Sequence, residues 1–266
     1  MGGKRWIDKG GEVITIDLRT NAAQIVGSLR NASKQTRFAT AVALTRTAQA
    51  VQQKETLEIK DVFDRPTPFT VNSIYIKPAT KSNLTAAAYI KDFAGKGIPA
   101  SKYLKAEIKG GFRRQKKFER ALTLAGAMPP GYYAVPGEAA DMDAFGNIKP
   151  SQIVQILSFF KAFPEAGYKA NMNDKGRARL VKGSKRKGTL GFEYFAGAPG
   201  DGKLPLGIWK RVFFGSGTAI KPIIIFVKSA QYQKLFDFEY VARKTVEKEF
   251  PRLMSQAYQE AMRSAI

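Results

Sequence analysis

Thirteen consecutive residues hold seven cations and no anion: Lys175, Arg177, Arg179, Lys182, Lys185, Arg186 and Lys187. Cations interleaved with Gly176 and Gly183 suit a loop that follows a polyphosphate backbone, because each Lys or Arg that meets a phosphate releases a condensed counterion. A solvated, mobile polar loop is the competing reading. A second cluster, residues 109–117, offers Arg113, Arg114, Lys116 and Lys117 behind Gly110 and Gly111. Its spacing suits a helix surface equally well. Neither cluster contains a base-reading motif, so the contact expected is with DNA of any sequence and is sensitive to salt. The rings of Tyr132, Tyr133, Phe192, Tyr194 and Trp209 are of a kind that stacks on bases, but such residues more often belong to cores or interfaces.

Other chemistry has little to work with. Gly197-Ala198-Pro199-Gly200-Asp201-Gly202-Lys203-Leu204 follows most of a phosphate-binding loop pattern, yet Leu204 stands where a hydroxyl would hold magnesium. Pro205 then obstructs the helix that should face the phosphates, so the stretch reads as a turn. Asp141 with Asp143, or Glu193 with Asp201 and Lys203, would be the carboxylates of a metal-dependent nuclease. No repeated spacing supports that, and acids at turns are common. The chain has no histidine and no cysteine. Ser-His-Asp hydrolysis, HNH nucleases, HExxH sites, disulfides and thiolate metal sites are therefore ruled out. No catalytic residue, cofactor or metal is expected, and the protein is not read as an enzyme.

Forty-four Lys and Arg against 22 Asp and Glu leave a formal charge of +22 over 266 residues. A surplus of this size raises self-repulsion unless a polyanion offsets it, although solubility alone is a simpler reason for it. The opening Met-Gly-Gly-Lys-Arg-Trp is expected to be neither a signal peptide nor a myristoylation site. The longest apolar run, 223–227, is too short to span a bilayer, so no membrane association is expected.

The elements that must position these residues follow from periodicity. Val13 to Leu18 alternates as a short strand. From about Ser33, Phe38, Ala41, Leu44, Ala48 and Val51 make a helical stripe. Pro66 and Pro68 fix an extended turn. Residues 73–77 and 86–91 read as a hairpin. Helix is expected over 100–108 and 113–124. Residues 128–137 read as an ordered extended arm around Tyr132 and Tyr133, and a short helix capped by Ser151 should run to Phe160. Residues 171–187, almost devoid of apolar side chains, read as polar loop. Strands follow at 190–195, 207–214 and 220–227. A terminal helix over 236–265 keeps an apolar face that includes Phe250 and Leu253 and is kinked at Pro251. The expected fold class is α+β: a mixed, largely antiparallel sheet with long amphipathic helices toward both ends and a central insertion. Residues 1–94 and 171–266 are expected to form one core domain, with 95–170 inserted.

The segment from Phe38 to Ala48, followed by Val62-Phe63-Asp64-Arg65-Pro66-Thr67-Pro68-Phe69-Thr70, resembles proteins of tail and neck gene blocks in tailed phages. The strand 223–227 and the terminal helix with Glu249-Phe250-Pro251-Arg252-Leu253 are similar to the minor tail protein Z (tail-completion) family. The resemblance covers about the first 70 residues and the last 80 and does not reach 95–170. It implies a structural virion protein of the tail or neck, made in the host bacterial cytoplasm. Such a protein would form a homo-oligomeric ring, six-fold or twelve-fold. Its partners would be a tail terminator, connector or tail tube and the genomic DNA end. Tyr132, Tyr133, Phe250 and Leu253 would then be interface residues. A stand-alone basic nucleic-acid-binding protein is the alternative.

Overall fold

The computed structural model describes residues 15–17, 34–95, 97–164 and 169–264. In chain order these form β1 (Thr15–Asp17), α1 (Lys34–Val62), α2 (Pro68–Val71), β2 (Ile74–Lys77), β3 (Ala87–Ile90), α3 (Ala100–Tyr103), α4 (Lys105–Lys109), β4 (Gly111–Phe112), α5 (Lys117–Leu124), β5 (Tyr133–Pro136), α6 (Pro150–Phe159), α7 (Asp174–Lys182), β6 (Phe192–Gly197), β7 (Gly207–Phe214), β8 (Gly217–Val227), β9 (Gln231–Tyr232) and α8 (Phe238–Arg263). The protein is α+β: the long helix α1 packs on the long helix α8, with antiparallel sheets β1-β3-β2 and β5-β8-β7-β6.

The chain divides into two units, one running to Gly111 and resuming at Tyr232, the other Phe112–Gln231. The division expected at 94/95 and 170/171 is therefore displaced. Strand pairing is the reason. β5, inside the expected insertion, pairs with β8 in the register Tyr133↔Val227 to Pro136↔Ile224. The strands of 192–227 thus belong with the inserted helices and not with the terminal ones.

In the first unit α1 and α8 meet through small side chains. Ala39, Ala43, Ala48, Ala257 and Ala261 are buried, with Leu44 and Phe250 filling the space between. Small residues let two backbones approach, and bulky ones interdigitate where the gap widens. Buried hydroxyls on these helices bond locally: Thr47 donates to the Ala43 carbonyl and Thr245 to that of Val241, each at 2.8 Å. α8 runs through Pro251 as one helix. On the hairpin, Ile74, Ala88 and Ile90 are buried while Tyr75 and Lys77 are exposed, the alternation expected of a sheet with one covered face.

Glu55 breaks the apolar stripe of α1. It lies one turn from both Val51 and Ile59, is fully buried, and neither carboxyl oxygen has a hydrogen-bond partner. Burial, together with the nearby carboxylates of Glu58 and Asp237, pushes its pKa up to about 9. The group is therefore neutral in the folded protein at neutral pH.

In the second unit α5 and α6 cover one face of the four-stranded sheet, burying Leu122, Met128, Ile156, Tyr194, Ile208, Ile224 and Phe226 together. α6 starts at Pro150, with Lys149 in the capping position expected for Ser151. Pro suits that place because its missing N–H has no intrahelical partner there. Residues 113–116, expected as helix, lie outside any helix or strand, and α5 begins only at Lys117.

The raised pKa of Glu55 has a definite sign for stability. Between the ordinary carboxyl value and about 9 the unfolded chain releases a proton that the folded chain keeps, so stability falls as pH rises, by up to about 1.4 kcal/mol per pH unit. Glu55→Gln, which cannot titrate, is expected to match the parent near pH 5 and to be more stable by about 1 kcal/mol or more at pH 8. Urea unfolding across this range measures the difference; a gap independent of pH would contradict the assignment.

Candidate nucleic-acid interface

Lys175, Arg177, Arg179 and Lys182 lie on a helix, where a loop is expected from sequence. Asn173 caps α7 by accepting from the Gly176 N–H at 2.8 Å, and Asp174 sits in its positive first turn. Straight-chain Lys and Arg are good helix formers, and Arg179 and Lys182 complement the negative C-terminal end. Met172 and Leu180 turn inward against the core of the unit. The nearby glycines serve this packing and not flexibility. A Cβ on Gly191 would lie 1.7 Å from the Val181 carbonyl oxygen, and Gly183 turns the chain at φ +67°. Ser184 and Thr189 then exchange backbone hydrogen bonds of 2.9 and 3.0 Å.

This helix sorts its cations. Lys175, Arg179 and Lys182, spaced by four and three, share one exposed face, and Lys185 and Arg186 are exposed on the 3-10 turn that follows Gly183. Arg177 points the other way. Its guanidinium donates to the Phe159 carbonyl at the end of α6 and lies 4.9 Å from the centroid of that residue's ring. A cation at a helix C-terminus and over an aromatic face is a packing element, so Arg177 is corrected from a DNA contact to a staple between α6 and α7. The side chain of Lys187 lies outside those described.

The first cluster divides in the same way. Arg114, Lys116 and Lys117 are exposed. Arg113 is turned inward: it pairs with the fully buried Glu119 at 2.5 and 2.9 Å, donates to the Ala134 carbonyl at 3.2 Å, and lies 4.9 Å from the centroid of the Tyr133 ring. Glu119 also accepts from the backbone N–H of Lys116 and of Ala134. Burial pushes the Glu119 carboxyl up, but Arg113 and these two N–H groups outweigh it and hold the group below the usual carboxylate range. Arg113 is thereby corrected from a DNA contact to a structural cation. Eight of the eleven cations expected to meet DNA remain exposed: Arg114, Lys116, Lys117, Lys175, Arg179, Lys182, Lys185 and Arg186. The unit that carries them has 20 Lys and Arg against 8 Asp and Glu.

The four expected interface residues are placed differently. Phe250 and Leu253 are buried, Phe250 in the α1–α8 core, so they need no second chain to cover them. Tyr132 and Tyr133 are half-buried, and the arm expected around them is partly strand β5. The Tyr132 carbonyl accepts from Gln115 at 3.0 Å.

Three of the four carboxylates weighed for metal binding have other partners. Asp141 pairs with Lys149 and Glu193 with Arg211, both at 2.7 Å. Asp143 accepts from the N–H groups of Phe145 and Asn147 in a turn. Among the described residues no three such side chains gather as a metal-ligating group. Residues 198–206 join β6 to β7 with no helix after them, as expected of a turn.

Sequence reasoning missed Glu119 and Phe159 as the partners that withdraw two cations. Glu119 did leave a signal, being the lone acid of residues 112–137 and standing in the first turn of a helix. The bond from Arg177 is to a backbone oxygen, which no residue type announces.

Removing one partner of a buried pair leaves the other charge uncompensated. Arg113→Ala is therefore expected to destabilise the protein by about 3–5 kcal/mol, while Arg114→Ala stays within about 0.5 kcal/mol. Equal denaturation midpoints for the two variants would show that Arg113 is a surface cation. Comparison with protein-family models, with curated proteins and with solved structures gives no match.

Proposed function

We propose that this chain is a structural virion protein of a tailed phage, acting at the head–tail junction as a homo-oligomeric ring that contacts the terminal DNA without reading its sequence. The observation that carries the DNA contact is the outward row Lys175, Arg179, Lys182, Lys185 and Arg186, held in place by α7 and the 3-10 turn after it. Cations fixed on a helix face meet a phosphate backbone at lower entropic cost than cations on a free loop. In a six- or twelve-fold ring the row is repeated once per subunit, which multiplies its effect on a polyanion. The neck placement rests on the tail-completion resemblance of the two ends, with terminator, connector or tube proteins as the partners it implies.

Ring contacts are assigned to surfaces other than Phe250 and Leu253, since both are used inside the chain. The second reading, a stand-alone basic nucleic-acid-binding protein, uses the same row of cations but needs no ring. Among the described residues no helix is long and apolar enough to cross a membrane.

Replacing Lys175, Arg179, Lys182, Lys185 and Arg186 with Gln should leave the fold intact, because none is buried. The slope of log affinity for duplex DNA against log salt should then shrink by about 0.9 for each phosphate that the row no longer neutralises. An unchanged slope would remove this row as the DNA-binding surface. Particles assembled without the protein should show unattached heads and tails; normal particles would leave only the second reading.

A further inference from the structure

We propose that the outer face of the hairpin sheet in the first unit is a stacking platform for unpaired nucleobases, so that the protein binds single-stranded nucleic acid through Tyr75, Tyr89 and Phe93. This does not depend on the neck reading and concerns a different unit from the α7 row.

The sheet order β1-β3-β2 leaves β2 at an edge, and α1 lies behind it, packed on the Ile74, Ala88 and Ile90 side. The opposite face carries aromatics. Tyr75 and Tyr89 are direct cross-strand partners with ring centroids 5.1 Å apart, and Phe93 stands edge-on to Tyr75 at 6.4 Å and 79°. These rings are not core: Tyr75 is 43% exposed and Phe93 57%. Mutual contact holds them in place on a backed sheet, so little side-chain freedom remains to be given up when a flat partner is laid against them.

Polar groups line the edge of the sheet beside Tyr75. A groove of about 680 Å³ passes round the free edge of β2 from α1 to Tyr75, lined among others by Gln52, Gln53, Thr56 and Asn72. Gln52 donates to the Ile74 carbonyl at 2.8 Å and Asn72 to that of Pro68 at 2.9 Å, which fixes both amides in the groove along the edge of β2 that Tyr75 also lines. Such amides suit the donor and acceptor edges of a splayed base. Lys77 is exposed at the far end of β2, and the Lys91 ammonium is held by the Asn72 carbonyl at 2.8 Å. Asp92 stands at the Lys91 end, close enough to act on Tyr89, so the phosphates of a bound strand run on the Lys77 side.

Charge selects among occupants. This unit has 24 Lys and Arg against 14 Asp and Glu, and a second copy laid on this particular face would bring Lys77 and Lys91 against their own counterparts. An acidic protein would answer the lysines but would leave three rings without flat partners. Single-stranded nucleic acid supplies phosphates and π-faces at once, and stacking tolerates any base.

The test uses the full chain and a labelled oligothymidylate of about 20 nucleotides, with a duplex for comparison. Tyr75→Ala and Phe93→Ala should each weaken single-strand binding about five-fold or more and leave duplex binding unchanged. Tyr75→Phe, which keeps the ring, should bind like the parent, and an unchanged melting temperature for Phe93→Ala excludes misfolding as the cause. Lys77→Gln should lower the single-strand salt slope by about 0.7. Photocrosslinks from an iododeoxyuridine-substituted strand should map to Tyr75, Tyr89 or Phe93, including in the protein whose α7 row is neutralised. The proposal is overturned if the alanine variants bind oligothymidylate with parental affinity or if crosslinks map elsewhere. It is equally overturned if these substitutions dissolve a self-association seen by sedimentation while single-strand binding persists, which would make the face a protein interface.

Discussion

Glu119 carries its charge in the interior of the second unit, and the course of three chain segments is set by the groups that satisfy it. An ionised carboxylate out of water is costly unless nearly all its acceptor sites are filled. Arg113 reaches it from the segment before α5, Lys116 from the residue that precedes the first turn of α5, and Ala134 from β5. Those bonds fix the corner between helix and sheet. With β5 so held, its pairing with β8 follows, and α5 and α6 are directed onto the face that buries Ile208, Ile224 and Phe226. The same constraint decides which cations of the cluster face solvent, because Arg113 is consumed by the interior while Arg114 and Lys117 are not.

The fold was most legible where one period dominates. The hairpin of β2 and β3 and the strands β6, β7 and β8 emerge from branched and aromatic runs between turn residues, and α1 and α8 from stripes at spacings of three and four; β5 was legible only as an extended arm. α7 was illegible as a helix for a physical reason. Its inward face has little more than Leu180 and the guanidinium of Arg177, so the usual apolar signal is missing and a backbone carbonyl takes its place. The unit boundary was displaced because register between distant strands, here Tyr133 with Val227, leaves no mark in local composition. Phe250 and Leu253 were correctly seen as an apolar stripe, but a stripe does not say whether its cover comes from the same chain. Exposed Tyr75 and Phe93 went unnoticed because aromatic residues in short strands are core by default.

The distribution of charge has a physical logic that the net value conceals. Within the second unit two arginines neutralise or cap interior groups, and the outward cations Lys117, Lys175, Arg179, Lys182, Lys185 and Arg186 sit on helices or a 3-10 turn, where the backbone keeps them apart at fixed spacing. Each unit holds its own surplus, 12 in one and 10 in the other, so each repels its like and each has reason to meet a polyanion.

The partition of the chain also dictates an order of events during synthesis. The α1–α8 pairing joins segments separated by the whole of the second unit, whereas the strands and helices of that unit pair among themselves. A chain emerging from the ribosome can complete the second unit while α1, with its stripe of Ala39, Ala43, Leu44 and Ala48, still awaits its counterpart. Until α8 is translated that stripe lacks the helix that covers it. Its alanine-rich makeup keeps the exposed apolar area small over this interval. The lateness of α8 thus turns the small residues of α1, needed for close helix packing, into a safeguard against aggregation on the nascent chain.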